Sequence, residues 1–210
     1  MGVDVSQPPN WGCLQQSGVE FAIARVYRSS GSVDPNARSM VSGAKNAGIK
    51  YVDGYIFPCY KCGNGKQQVE DAVNNLRITG KGRPEGMEGM AYREESNSTS
   101  GAMIGMLWLD IEGSQYWSAS HSDNLAFIKD MTAGCQSAGI SCGFYTSASQ
   151  WEPITGDSSE FGSYQLWYAH YDGNPSFSDF SPFGGWTKPA MKQYKGDATM
   201  CSSGVDVNFY

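Results

Sequence analysis

The stretch Met106-Leu107-Trp108-Leu109-Asp110-Ile111-Glu112-Gly113 decides the fold. Read as a strand, it places Leu107, Leu109 and Ile111 on one face and Trp108, Asp110 and Glu112 on the other, because side chains alternate with period two. Apolar residues on both faces mark a strand buried inside a parallel sheet. Burying a carboxylate costs several kcal/mol (roughly 3–5 when it is left unpaired) unless a partner compensates it. Two carboxylates on one face therefore need a reason, and acid/base chemistry supplies one.

Around this strand the chain alternates. Gly18-Val19-Glu20-Phe21-Ala22-Ile23-Ala24 resembles Gly48-Ile49-Lys50-Tyr51-Val52-Asp53-Gly54, and Gly139-Ile140-Ser141-Cys142-Gly143-Phe144-Tyr145 is a third copy. Each copy is a glycine closing a helical pattern, followed by an apolar strand; glycine enters the left-handed conformation cheaply there. Between the copies, Asp34-Pro35 reads as an N-cap with proline at the first helical position. Ala37, Met40, Val41 and Ala44 then share one helical face, as do Val69, Ala72, Val73 and Leu76. A further helix is expected from Ser122 to about Gln136. Strands are expected near Val3–Ser6, Phe21–Tyr27, Tyr51–Phe57, Met106–Glu112 and Gly143–Thr146. Alternation of this kind argues for a parallel α/β fold.

The last third reads differently. Gln165–Tyr171, Met191–Tyr194 and Val205–Phe209 look like strands, separated by Gly, Pro, Ser and aromatic residues without helical periodicity. The count is about eight strands. The expected fold is an α/β, irregular TIM-like (β/α) barrel lacking helices in its C-terminal part, with residues 1–210 forming one domain. Arg77 to Gly105 is a long Gly-rich insertion read as a loop or subdomain.

Bulk properties exclude several functions. The 210 residues carry a net charge of −6, which disfavours nucleic acid as a partner and hints at work in an acidic compartment. No apolar run approaches the roughly 20 residues of a membrane span. The N-terminal Met-Gly-Val-Asp has neither a basic nor an apolar leader pattern, so no signal peptide is read there. Six cysteines, Cys13, Cys59, Cys62, Cys135, Cys142 and Cys201, form an even set read as disulfides, of which Cys135–Cys142 is the easiest local bridge. Cys59-x-x-Cys62 lacks a second pair, and only two histidines exist, so no metal site is expected. Asn97-Ser98-Thr99 is a glycosylation sequon and points toward a secreted protein.

Gly2-Val3-Asp4-Val5-Ser6 and Gly204-Val205-Asp206-Val207-Asn208 mirror each other at opposite ends of the chain. In a closed barrel the first and last strands are neighbours. Asp4 and Asp206 are expected to point inward together, with their flanking valines outward. Taken singly, either aspartate reads as a cap or loop charge. Taken with Asp110 and Glu112, they form a four-acid cluster at the C-terminal mouth of the barrel. Such a cluster suits metal-independent hydrolysis of a glycosidic bond. One carboxyl kept protonated donates to the leaving oxygen, and another stabilises or attacks the sugar cation. Tyr55, Trp108, Trp117, Trp151, Trp167, Tyr168, Tyr171 and Tyr194 lie near strand ends; about half are expected in the core and the rest along a sugar groove.

In chain order, Gly2–Ser6, Asp34, Gly54-Tyr55-Ile56-Phe57, Leu109-Asp110-Ile111-Glu112, Phe144-Tyr145-Thr146-Ser147, Leu166-Trp167 with Ala169 and Tyr171, Gln193-Tyr194 and Val205–Asn208 resemble glycoside hydrolase family 25, the Chalaropsis-type lysozymes. The resemblance runs from Gly2 to Tyr210. It implies an N-acetylmuramidase cutting the β-1,4 bond between N-acetylmuramic acid and N-acetylglucosamine of bacterial peptidoglycan, acting without a cofactor; separately, a monomer is expected. It implies Glu112 as general acid, Asp110 as stabiliser of the reacting centre, Asp4 and Asp206 as the floor of the site, and Tyr55 beside the cleaved sugar. Trp167, Tyr171, Tyr145, Gln193 and Tyr194 are the further substrate-binding candidates. Where the family often has histidine after the tyrosine that matches Tyr55, this chain has Ile56. The cysteines and the insertion suit a secreted eukaryotic branch, in digestion of bacteria or defence against them, or an enzyme of a lysosome-like acidic compartment.

Two alternatives fit less well. A chitinase-type hydrolase carries D-x-x-D-x-D-x-E; counting back from Glu112 gives Asp110, then Trp108 and Gly105 where aspartates belong. A catalytically dead sugar-binding protein on this scaffold typically loses the acid, and Glu112 is present.

Overall fold

The computed structural model describes residues 1–77 and 103–210. Most of the Arg77–Gly105 insertion, and the Asn97 sequon with it, lies outside the described residues. Eight strands close into a barrel: β1 (Gly2–Val5), β2 (Phe21–Arg28), β4 (Tyr51–Ile56), β5 (Met106–Asp110), β6 (Ser141–Thr146), β7 (Gln165–Ala169), β8 (Met191–Met200) and β9 (Ser203–Phe209). The two-residue β3 (Ser32–Val33) pairs with the end of β2 outside the ring. The helices are α1 (Trp11–Gln16), α2 (Ala37–Asn46), α3 (Gly65–Asn75), α4 (His121–Ala138) and α5 (Ala148–Thr155). Beyond Thr155 no α-helix occurs, as expected of a barrel stripped of its later helices.

The three glycine-led copies behave as the sequence implies. Gly18, Gly48 and Gly139 have φ of 87°, 85° and 66°, and each turns the chain into a barrel strand. Phe21 of the first copy lies in parallel register with Tyr51 of the second.

Four local expectations change. Helix α2 starts at Ala37 with Asn36 as its cap residue, two positions later than Asp34-Pro35 suggested. Asp34 is spent elsewhere: Oδ2 accepts from Arg25 Nε at 2.8 Å and Oδ1 from the Asn36 amide at 2.9 Å. Helices α1 and α5 were not legible, the first for its six residues and the second for its internal Pro153. Strand β5 ends at Asp110, so Glu112 projects from the segment just beyond it. Finally, the barrel is not wholly parallel. Strand β9 runs antiparallel to both β8 and β1. Cys201 and Ser202, both at positive φ (53° and 58°), form the tight turn that sends the chain straight back; such two-residue hairpins need left-handed residues.

Two apolar clusters divide at the barrel wall. Leu107, Leu109, Ile111, Val3, Val5, Val205 and Val207 belong to the outer cluster, which also holds helix residues such as Met40, Val41 and Val69. Phe21, Ile23, Trp108, Tyr145, Trp167 and Met191 fill the barrel interior. Gly143 lies opposite Trp108 in the β5–β6 register, and a Cβ there would stand 2.5 Å from the indole. That glycine makes room for the ring at the barrel floor. Asp53 holds the same indole from below, accepting from Trp108 Nε1 at 3.0 Å and from the Met106 amide at 2.9 Å.

All six cysteines pair: Cys13–Cys201, Cys59–Cys62 and the expected Cys135–Cys142. Three disulfides fit an oxidising compartment. Among the described residues, no helix is long and apolar enough to cross a membrane.

Candidate active site

The β1–β9 pairing places Asp4 directly opposite Asp206. Because β9 runs backwards, its beginning, rather than its end, lies at the barrel mouth. Residues Asp206 and Asn208 face inward between the outward Val205 and Val207. Strand β5 contributes Asp110 at its tip and Glu112 two residues on. The four acids line one hollow of about 110 Å³, together with Tyr55, Phe57, Tyr145, Trp167, Tyr171 and Gln193. The cluster expected from sequence is therefore assembled.

A chain of hydrogen bonds fixes one side of it. Asp4 Oδ1 accepts from Gln193 Nε2 and from Asn208 Nδ2, both at 2.8 Å. Gln193 Oε1 accepts from Tyr145 Oη at 2.6 Å and from Tyr171 Oη at 2.7 Å. Trp167 Nε1 donates to Asn208 Oδ1 at 2.8 Å, which orients that amide toward Asp4. Asp206 Oδ1 accepts from the Asp197 amide at 2.6 Å.

The other side is less compensated. Asp110 is 4% exposed, and its Oδ1 has no hydrogen-bond partner among the described residues. Burial first, then the charges of Glu112 and Asp4, push its carboxyl well above the usual carboxylate range. Burial and the nearby Asp206 push Glu112 up as well. Burial, with Asp206 adding to it, raises Asp4 to about 7 despite its two amide bonds. Asp206 rises for want of solvation. Acids that resist ionisation are what proton donation near neutral pH requires.

The expected substrate-binding residues divide. Tyr55, Tyr145, Trp167, Tyr171 and Gln193 line the hollow. Tyr194 does not: alternation along β8 turns it away from Gln193 and packs it against the outer cluster. Of the eight aromatics near strand ends, Trp108, Trp151, Trp167 and Tyr168 are buried; of the other four, Tyr55 and Tyr171 line the hollow, whereas Trp117 and Tyr194 pack against the outer cluster. Sequence reasoning missed Asn208, Asp197 and Phe57 as parts of the site. Asn208 was findable, since it lies two residues after Asp206 on the same strand face.

A second polar cluster starts just beyond the end of β7, beside the mouth. His170, Asp172 and Asp179 bring potential ligand atoms within 4.8 Å of one another. Lys192, with a fully buried side chain, already donates to Asp172 and Asp179 at 2.8 Å each, so the cluster is an ion-pair network rather than a metal cage.

The chain matches a family model described as "Lysozyme-like protein 1" over residues 1–82 and 90–194. It is 48% identical to "Probable GH family 25 lysozyme 2" of Dictyostelium discoideum, over all of this chain and 90% of that protein. It is 35% identical to "Lysozyme-like protein 5" of Caenorhabditis elegans, over 99% of this chain and 90% of that one. The fold is that of the family GH25 lysozyme from Aspergillus fumigatus, with a TM-score of 0.74 at 22% identity, covering 100% and 92% of the two chains. The four-acid barrel mouth and these likenesses agree: the chain belongs to the glycoside hydrolase family 25 lysozymes.

Proposed function

We propose that the chain is an N-acetylmuramidase, hydrolysing the β-1,4 bond between N-acetylmuramic acid and N-acetylglucosamine in bacterial peptidoglycan. The observation that carries this reading is the pairing of two differently placed acids on one strand end. Glu112 is half-buried and borders the open hollow, whereas Asp110 is buried at its base. Glu112 gives its proton to the glycosidic oxygen as the bond to the anomeric carbon breaks. Positive charge then develops on the sugar ring, where Asp110 stabilises it; water adds to the anomeric carbon and its proton returns to the Glu112 carboxylate. The unpartnered Oδ1 of Asp110 suits acceptance of a hydrogen bond from the substrate's acetamido N–H, which would orient that group toward the anomeric carbon. Asp4 and Asp206 form the floor, and the negative charge of Asp206 helps keep the proton on Glu112. The enzyme acts as a monomer, secreted or in an acidic lysosome-like compartment, which its disulfides suit.

Digestion of purified cell walls followed by mass spectrometry of the released muropeptides tests this. New reducing ends on muramic acid are expected. Reducing ends on glucosamine would assign a different bond, and intact walls would overturn the reading.

A further inference from the structure

Four hollows meet at the acids. The central one holds all four. An arm of about 260 Å³, bounded by Ser6, Gln7, Asp197 and Gly204, reaches Asp4 and Asp206 but not Glu112. Two others adjoin along Glu112, Ser149 and Gln150, which line both. One, about 470 Å³, is lined by Phe57, Ser114, Gln115 and Tyr116. The other, about 240 Å³, is lined by Ser147, Ser149, His170 and Tyr171. A linear polymer crossing a site needs two arms. A third is surplus unless the bound unit carries a branch.

The chemistry of the arms assigns them. The leaving sugar departs across the proton donor, so it takes one of the two arms at Glu112. Phe57 and Tyr116 pack edge to face at 5.6 Å with Tyr116 46% exposed, and they offer the ring surface a sugar stacks on. The remaining arm has a different character. Among the described residues lining these four hollows, His170 is the only side chain able to carry positive charge.

Its ring is held in place. Nδ1 lies 2.5 Å from Asp179 Oδ2 and 3.8 Å from Asp172 Oδ2. Both carboxylates are bonded from behind by the buried Lys192, and Tyr168 donates to Asp179 as well. With Nδ1 committed to Asp179, Nε2 is the nitrogen left to meet a ligand. A chain of net charge −6 that gathers four acids in this cleft disfavours an anionic substrate group beside them.

We propose that the arm of Ser147, Ser149, His170 and Tyr171 receives the acidic peptide stem carried by the muramyl residue, with His170 donating to a stem carboxylate. The inference rests on the muramidase reading above.

The test compares kcat/KM at pH 5 on two substrates: uncross-linked glycan strands bearing stems, and the same strands stripped of stems by an amidase, with the lactyl carboxylate this exposes capped as its methylamide. The expected preference of the unaltered enzyme for stem-bearing strands is roughly fivefold, the scale of one charge-assisted contact at a half-open site. His170→Ala and His170→Gln should bring the ratio close to one, and His170→Arg should keep it. Should His170→Ala fail to fold, as its melting transition would show, the glutamine variant gives the same readout. No preference in the unaltered enzyme, or a preference that survives in the alanine and glutamine variants, overturns the inference while leaving the muramidase reading intact. Cleavage of neither substrate removes both.

Discussion

Asp4 and Asp206 face each other across the seam where the first and last strands of the barrel meet, although 202 positions separate them in the chain (206 − 4). Their proximity sets much of the charge in the cleft. Asp206 helps raise both Asp4 and Glu112 above their ordinary ionisation range.

Replacing Asp206 by Asn should therefore move the pH profile. Glu112 works as an acid only while protonated, so activity falls as pH rises through its pKa. Removing the negative charge of Asp206 lowers that pKa. The basic limb of kcat/KM against pH is expected to shift downward, and an unmoved limb would separate Asp206 from the tuning of Glu112.

Glu112→Gln preserves shape and removes the transferable proton. Peptidoglycan cleavage should drop by at least ~100-fold, the usual scale of general acid catalysis. The thermal midpoint should stay at or above that of the unaltered protein, because a half-buried carboxyl has been replaced by a neutral group. Turnover at the original rate would take Glu112 out of its role.

Stability should fall as pH rises from about 4 to about 7. Burial holds Asp4 up at about 7 and Asp53 at about 6 in the folded chain, against an ordinary aspartate value of 3.8. Between these values the folded state holds protons that the unfolded chain has released, and raising the pH then favours unfolding. Asp110 adds to the same trend. Calorimetric midpoints across this range are the measurement, and a midpoint that climbs toward pH 7 would contradict it.

Gly143→Ala should destabilise the barrel by about 1–3 kcal/mol through overpacking. The new methyl would meet the Trp108 indole at 2.5 Å and the Gln165 carbonyl oxygen at 3.0 Å, with backbone on one side unable to yield. Urea unfolding of the variant gives the number. A change below about 0.5 kcal/mol would mean that Trp108 has room to move.

Cys13→Ser with Cys201→Ser frees the β8–β9 hairpin from α1. The bridge joins residues 188 apart, and its loss should cost about 2–4 kcal/mol. Asp197 and Asp206 both sit on that hairpin, so activity should decline at temperatures below the melting midpoint. Full activity up to the transition would show that the hairpin holds its shape unaided.

Much of this molecule was legible in one dimension. Alternation alone assigned Leu107, Leu109 and Ile111 to one face and Trp108, Asp110 and Glu112 to the other. Glycine after a helical pattern marked Gly18, Gly48 and Gly139, because only a residue without a Cβ turns left-handed at so little cost. The mirrored Asp4 and Asp206 segments announced a closed ring. Period failed where elements are short or interrupted, as in α1 and in α5 with its Pro153. It also failed at Tyr194, since a pattern of aromatics does not say which strand face points inward.

Local sequence thus determined the elements, their buried faces and the acids that matter, because side-chain periodicity and backbone preference act over a few residues. The tertiary structure alone decided the rest. It reversed β9 through the Cys201–Ser202 turn and left Asp110 Oδ1 without a hydrogen-bond partner among the described residues. It also set His170, braced by Asp179 and Lys192, in an arm beside Glu112. Those outcomes depend on which distant atoms share a small volume of low polarity, and no spacing along the chain encodes that.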